Sequence, residues 1–300
     1  MKEVSKMKKI AIFLVLLMTV SSVLGQYRRN YDRPYAYLGF TFGVGINAIS
    51  SPGAEGSRTP GVGFDFGAHY THFFSRFGFG AGMHIVRTNS HTTYNFDETT
   101  EGLTHADNPG AHYTLYTHFD DWKERQSMVV IALPVEAFYR VPVGGGRFFI
   151  CGAGVEFDMP TKGSYTAAGG SFTTSGMFPA LGPYRVGDMP EHGFATYDEV
   201  AETSIGGFRP GVGVLADLGM RLPLGDGGGV YVGLYATYGL TSLVRADGAG
   251  PLLEINKRDA SRIDYHGTFG WDGGTCSVPA LYLIRVGVKV GVDLASPMDN

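Results

Sequence analysis

The chain is short of charge. Asp, Glu, Lys and Arg make up 17% of its 300 residues, against roughly 25% in ordinary soluble domains. The net charge is −4 and no basic stripe runs along the chain, which excludes a nucleic-acid partner. No long apolar run follows Val20, so helical membrane spans are excluded. Cysteine is nearly absent, with Cys151 and Cys276 the whole supply. No G-x-S-x-G marks a nucleophile elbow. The glycine runs stand in no strand-to-helix context, so they are not phosphate loops and no cofactor is expected. What abounds is glycine, at 45 residues, with aromatics at 13% and a mean hydropathy of zero. Apolar residues confined to every second position of a barrel reconcile these figures.

The first residues read as a secretory leader. Met1 to Lys9 holds four lysines, Ile10 to Val20 is apolar, and Ser21 to Gly25 supplies small residues before a cut at Gln26. The apolar stretch is too short for a spanning helix, which needs about 20 residues. Residues 1–25 are therefore expected to be a signal peptide, and 26–300 one β domain.

The clearest pattern lies between Phe208 and Leu243. Val212, Val214, Ala216, Leu218, Met220 and Leu222 alternate with glycines, Asp217 and Arg221. After a turn cluster at Pro223–Gly229 the alternation resumes, with Val230, Val232, Leu234, Ala236, Tyr238 and Leu240 on one face. Period two means a strand between two unlike environments, and a tilted crossing of a bilayer takes about 9–11 residues. The same reading gives strands near 37–48, 61–73, 77–86, 128–140, 147–157 and 279–292. The fold class expected is all-β: an eight-stranded antiparallel transmembrane β-barrel with long extracellular loops. Thr88–Gln126, Asp158–Gly207 and Val244–Ser277 are expected to be those loops, with a second hairpin inside 158–207 the one alternative. A soluble up-and-down barrel would reverse the polarity of the two faces.

Ile131-Ala-Leu-Pro-Val-Glu-Ala-Phe-Tyr139 and Ala236-Thr-Tyr-Gly-Leu-Thr-Ser242 carry a resemblance. The chain resembles the small eight-stranded outer-membrane barrels of Gram-negative bacteria, broadly the OmpA and OmpX type, and within it the PorT-like branch. The resemblance implies residence in the outer membrane. It implies as partners membrane lipids and lipopolysaccharide, other envelope proteins and secretion machinery. Such barrels usually end on an aromatic residue, whereas this chain runs on to Asp299 and Asn300.

Three sets of residues are candidates for chemistry. The inward face collects Asp65, Glu136, Glu156 and Asp217 with Arg140, Arg221, Arg285 and Lys289, plus His69 and His84. Buried charges must pair, and eight strands leave a lumen that side chains fill, so an ion-paired plug is expected. The rival is an ion or proton path through a narrow pore. The histidines of the expected loop Thr88–Gln126, His91, His105, His112 and His118, miss metal-ligand spacing and are expected to be solvated. His84 and Ser127 near the outer rim are the one hint of a lipid-modifying hydrolase; no base and orienter converge on them, so no enzyme is expected. Cys151 and Cys276 fall too far apart on this strand map for a disulfide, which needs Cα atoms within about 7 Å.

Overall fold

A computed structural model describes residues 35–52, 54–105, 108–182, 184–200, 203–205, 207–224, 228–244, 251–256, 258–269 and 278–297. The expected signal peptide, 1–25, and Cys276 lie outside the described residues; Cys151 is a free thiol.

Long strands build a closed ring. They are β1 (Tyr35–Ser50), β2 (Ser57–Phe74), β3 (Phe77–His105), β4 (Asn108–Gly144) and β5 (Arg147–Met177). β6 (Gly211–Leu224), β7 (Gly228–Gly239) and β8 (Tyr282–Pro297) complete the set. Each pairs antiparallel with its neighbour in sequence, and β1 pairs with β8 from Tyr35↔Pro297 to Ser50↔Tyr282. No strand edge is left within the ring, which is the condition for backbone to lie in lipid.

The alternation read from the sequence is the alternation of burial. Along β6, Val214, Leu218, Met220 and Leu222 are exposed, while Leu215, Asp217, Gly219 and Arg221 are buried. The outward rows carry Phe40, Phe42, Phe64, Phe66, Phe79, Met83, Leu234, Val288 and Val290, all about half exposed. A continuous apolar wall of this extent is far larger than the few hundred Å² that soluble monomers expose. Apolar outside and charged inside is the polarity of a transmembrane barrel.

Two expectations are corrected. Thr88–Gln126 is not a loop: it belongs to β3 and β4, which run 29 and 37 residues, and only residues 106 and 107 separate them. β5 likewise continues to Met177 for 31 residues, taking in the first part of the expected loop Asp158–Gly207. Three consecutive strands thus rise beyond the apolar belt as one antiparallel wall. Among its described residues the segment after Met177 adds no ninth ring strand. Its short strands, Arg185–Val186, Thr196–Tyr197 and Thr203–Ile205, pair along the free edge of β5. Within the third expected loop, Leu253–Ile255 and Ile263–Tyr265 form a small hairpin. β8 runs to Pro297, beyond the strand expected near 279–292.

β-Bulges set which way the wall faces. Between Val130↔Pro160 and Val129↔Lys162 the strand β5 gains one residue, Thr161. Below it the inward residues are Glu156 and Asp158; above it they are Gly163 and Tyr165. The extra residue turns Lys162 outward.

Candidate functional site

The lumen is the first site to build. Asp65, Asp217 and Arg221, His84, Glu136, Glu156, Arg285, Lys289 and Asp293 all stand on inward rows of their strands. Glycines opposite make the room: a Cβ on Gly43 would collide with the Asp65 carboxylate, and one on Gly229 with the Arg221 guanidinium. Three ion pairs and two histidine–carboxylate contacts result. Arg285 donates to Glu156 and Lys289 to Asp217. Arg221 Nε stands 3.2 Å from Asp293 Oδ2. Asp293 Oδ1 is 3.6 Å from His69 Nε2, and Asp65 Oδ1 is 3.6 Å from His84 Nδ1. Glu136 faces Lys289 across a cavity of about 50 Å³, room for a few waters at about 10–15 Å³ each.

Arg140 departs from the expected pairing. Its Nε donates to the Ser75 carbonyl at 2.6 Å, and its guanidinium lies 4.7 and 4.9 Å from the ring centroids of Phe73 and Phe148. It belongs to an aromatic floor formed by Tyr37, Phe73, Phe148, Ile150 and Tyr231. The other end is closed by inward apolar residues. Ile49, Met128, Val130, Ala132 and Leu281 are each 0% exposed. Charges fill the middle, and apolar layers close both ends. The chain is a closed eight-stranded antiparallel β-barrel with the polarity of a membrane-spanning one.

Above the upper layer the wall acquires a core of its own. Tyr94, Phe119, Trp122, Tyr165 and Phe172 project from β3, β4 and β5 and pack on Phe194, Leu253, Ile255, Tyr265 and Phe269. The segments after β5 and β7 are therefore folded against the wall as a cap. At its centre sits Glu124, fully buried. Its carboxylate accepts from Tyr265 Oη at 2.7 Å, Gln126 Nε2 at 2.7 Å and the Thr268 amide at 3.0 Å. Trp122 Nε1 donates to the same Tyr265 hydroxyl at 2.9 Å. Burial and the nearby Glu124 carboxylate raise the Tyr265 phenol well above its usual range, so it stays a donor. Burial pushes His266 down to about 4. Glu98 is raised by burial and drawn back by the Leu252 amide that it accepts.

The other candidates separate. His91, His105, His112 and His118 lie on strands, not in a loop. His118 pairs with Asp97 at 2.7 Å on the surface. His105 is not solvated: it is buried and its Nε2 meets His192 Nδ1 at 3.0 Å. Among the described residues no three metal-ligating side chains gather. His84 points into the lumen opposite Ala132, whereas Ser127 stands on the outward face opposite Asn89, so the two cannot act together. Asp293 and Asp158 were missed as lumen residues. The signal for Asp293 was present, because Arg285, Gly287, Lys289, Gly291 and Asp293 share one parity.

No family model and no curated protein matches the chain. Solved structures with a similar course include Neisserial surface protein A, at 8% identity over 86% of this chain and 96% of that one, TM-score 0.35. Ail of Yersinia pestis, in complex with the heparin analogue sucrose octasulfate, matches at 7% identity over 86% and 99%, TM-score 0.31. OprG of Pseudomonas aeruginosa matches at 11% over 89% and 97%, TM-score 0.31. Likenesses at these scores carry no weight here; the barrel rests on its own strand pairing and polarity.

Proposed function

We propose that the protein is a non-conducting barrel of a Gram-negative outer membrane whose folded cap presents a surface to other molecules. The observation that carries this reading is the double closure of the lumen beneath a packed cap. A channel needs a continuous wet path. Here the inward rows end in aromatic residues below and in Ile49, Met128, Val130 and Ala132 above, with ion pairs between them. The network of Asp65, His69, His84, Glu156, Asp217, Arg221, Arg285, Lys289 and Asp293 then serves rigidity, not transport, with Glu136 beside it unpaired among the described residues. No enzymatic role is assigned, since His84 and Ser127 face opposite sides of the sheet. Envelope proteins, including secretion machinery as the PorT-like resemblance implies, are the partners proposed for the cap. The test is conductance. The full chain reconstituted in planar bilayers is expected to give no current steps at neutral pH; discrete steps would refute the sealed lumen.

A further inference from the structure

The lipid-facing rows change chemistry abruptly on one side of the barrel. Ile85, Ile131 and Met159 are register partners and form the last fully apolar outward row on β3, β4 and β5. The next outward row holds Arg87, Val129 and Lys162. Two rows higher stand His91 and Arg125, and above them Lys123. Arg87, Lys123, Arg125 and Lys162 are all exposed. Among the described residues none of the four joins an ion pair. The remaining places in these rows are Val, Asn, Ser, Thr and Gly, with no carboxylate. In a chain with so few charges, four unpaired bases on three adjacent strands are a concentration. The bulge at Thr161 is what brings Lys162 into it.

Their height names the occupant. Two residues along a strand rise about 6–7 Å, so Arg87 and Lys162 leave the apolar belt at the level of lipid headgroups. Each strand is about 4.8 Å from the next, which sets Arg87 and Lys162 about 10 Å apart, flanking Val129. Along the register row of Arg87, β2 offers Phe64, β1 Val44 and β8 Val288, so the patch is one-sided. We infer that Arg87, Lys123, Arg125 and Lys162 bind the phosphorylated headgroup of an anionic lipid in the outer leaflet, its acyl chains lying on Ile85, Ile131 and Met159. The charge is complementary, the hydroxyls of Ser127 and Ser164 can donate to phosphate, and the apolar row continues directly below. This inference rests on the membrane-barrel reading.

The experiment uses the full chain refolded in neutral detergent micelles, with diphosphorylated lipid A as probe and binding counted by native mass spectrometry. Wild type is compared with the R87Q/K123Q/R125Q/K162Q variant and with R87K/R125K. At roughly 1 kcal/mol per surface base and about 1.4 kcal/mol per tenfold, the fourfold glutamine variant should lose on the order of a thousandfold in affinity. The lysine variant should bind within a few-fold of wild type, and dephosphorylated lipid A should bind all forms weakly. Unboiled samples should migrate differently from boiled ones on a gel for every variant. Equal affinity of wild type and the glutamine variant would overturn the site while leaving the barrel intact. Equal binding of inositol hexakisphosphate, which has no acyl chains, would overturn the lipid as occupant. Loss of the gel difference in wild type itself would overturn the barrel, and the site with it.

Discussion

At the scale of single residues, the buried carboxylate of Glu124 matters most outside the membrane. It accepts hydrogen bonds from β4 itself and from a segment more than 140 positions later. Truncation leaves the Tyr265 hydroxyl, the Thr268 amide and the Gln126 amide group without that acceptor. Buried groups so stranded cost about 1–3 kcal/mol each, less where they find new partners. Glu124→Ala should therefore weaken the cap by roughly 2–4 kcal/mol, and Glu124→Gln by less. Urea titration in micelles, followed by Trp122 emission in a Trp271→Phe background, reads this directly. An unchanged midpoint would show that Glu124 does not hold the cap. This residue was not legible in the sequence. Its neighbours Lys123 and Arg125 disguise it as one of a solvated charge run, and only the pairing of β4 reveals that it faces inward.

At the scale of elements, the eight transmembrane strands were legible because one face of each is apolar and the other is glycine or charge. The tall ends of β3, β4 and β5 were not. Thr88–Thr93 and Tyr113–Phe119 face solvent on one side and a partly polar core on the other, so threonine, serine and histidine occupy both faces and the period-two contrast fades. Near the lumen's upper end the failure has another cause. Met128–Ala132 is apolar at every position, because a second apolar layer lies inside the barrel where charge was expected. The cap's hairpin around Tyr265 should respond to pH. His266 has a folded value of about 4 against an ordinary 6.5 or so. Between these values the unfolded segment binds the proton and the folded one does not, so stability falls as pH drops from about 6.5 toward 4. Glu98 acts in the opposite sense, since its raised carboxyl gains stability as pH falls. Hydrogen exchange at Leu253–Phe269, corrected for intrinsic rate, should quicken at pH 5 relative to pH 7, and His266→Gln should abolish that quickening. Faster exchange in the β6–β7 hairpin instead would mean that the barrel, not the cap, is the pH-sensitive part. The bulge at Thr161 gives a second test. Deleting Thr161 should return the strand above it to the parity below, sending Tyr165 outward. In a cysteine-free background, Tyr165→Cys should resist a charged maleimide in the full-length chain and react in the deletion. Equal protection in both would place the parity switch elsewhere.

At the scale of the whole molecule, the barrel and its cap differ in how far apart their contacts lie along the chain. Neighbouring strands pair through turns as short as Ser75–Arg76 and Gly145–Gly146. The cap joins Trp122 to Tyr265, 143 positions later, and Tyr94 to Thr268, 174 positions later. Contacts between distant positions form slowly, because a long loop must close first. The tall hairpin of β3 and β4 must therefore cross the membrane and wait, its aromatic face wet, until the last connection has followed. Refolding into micelles should proceed in two phases: β-structure by circular dichroism first, then Trp122 emission as Tyr265 arrives. A single phase common to both probes would mean that cap and barrel form together. The order of arrival makes the last-translocated segment a seal on assembly, so that a barrel with β8 still unpaired would display an open, aromatic mouth to whatever machinery surveys unfinished proteins.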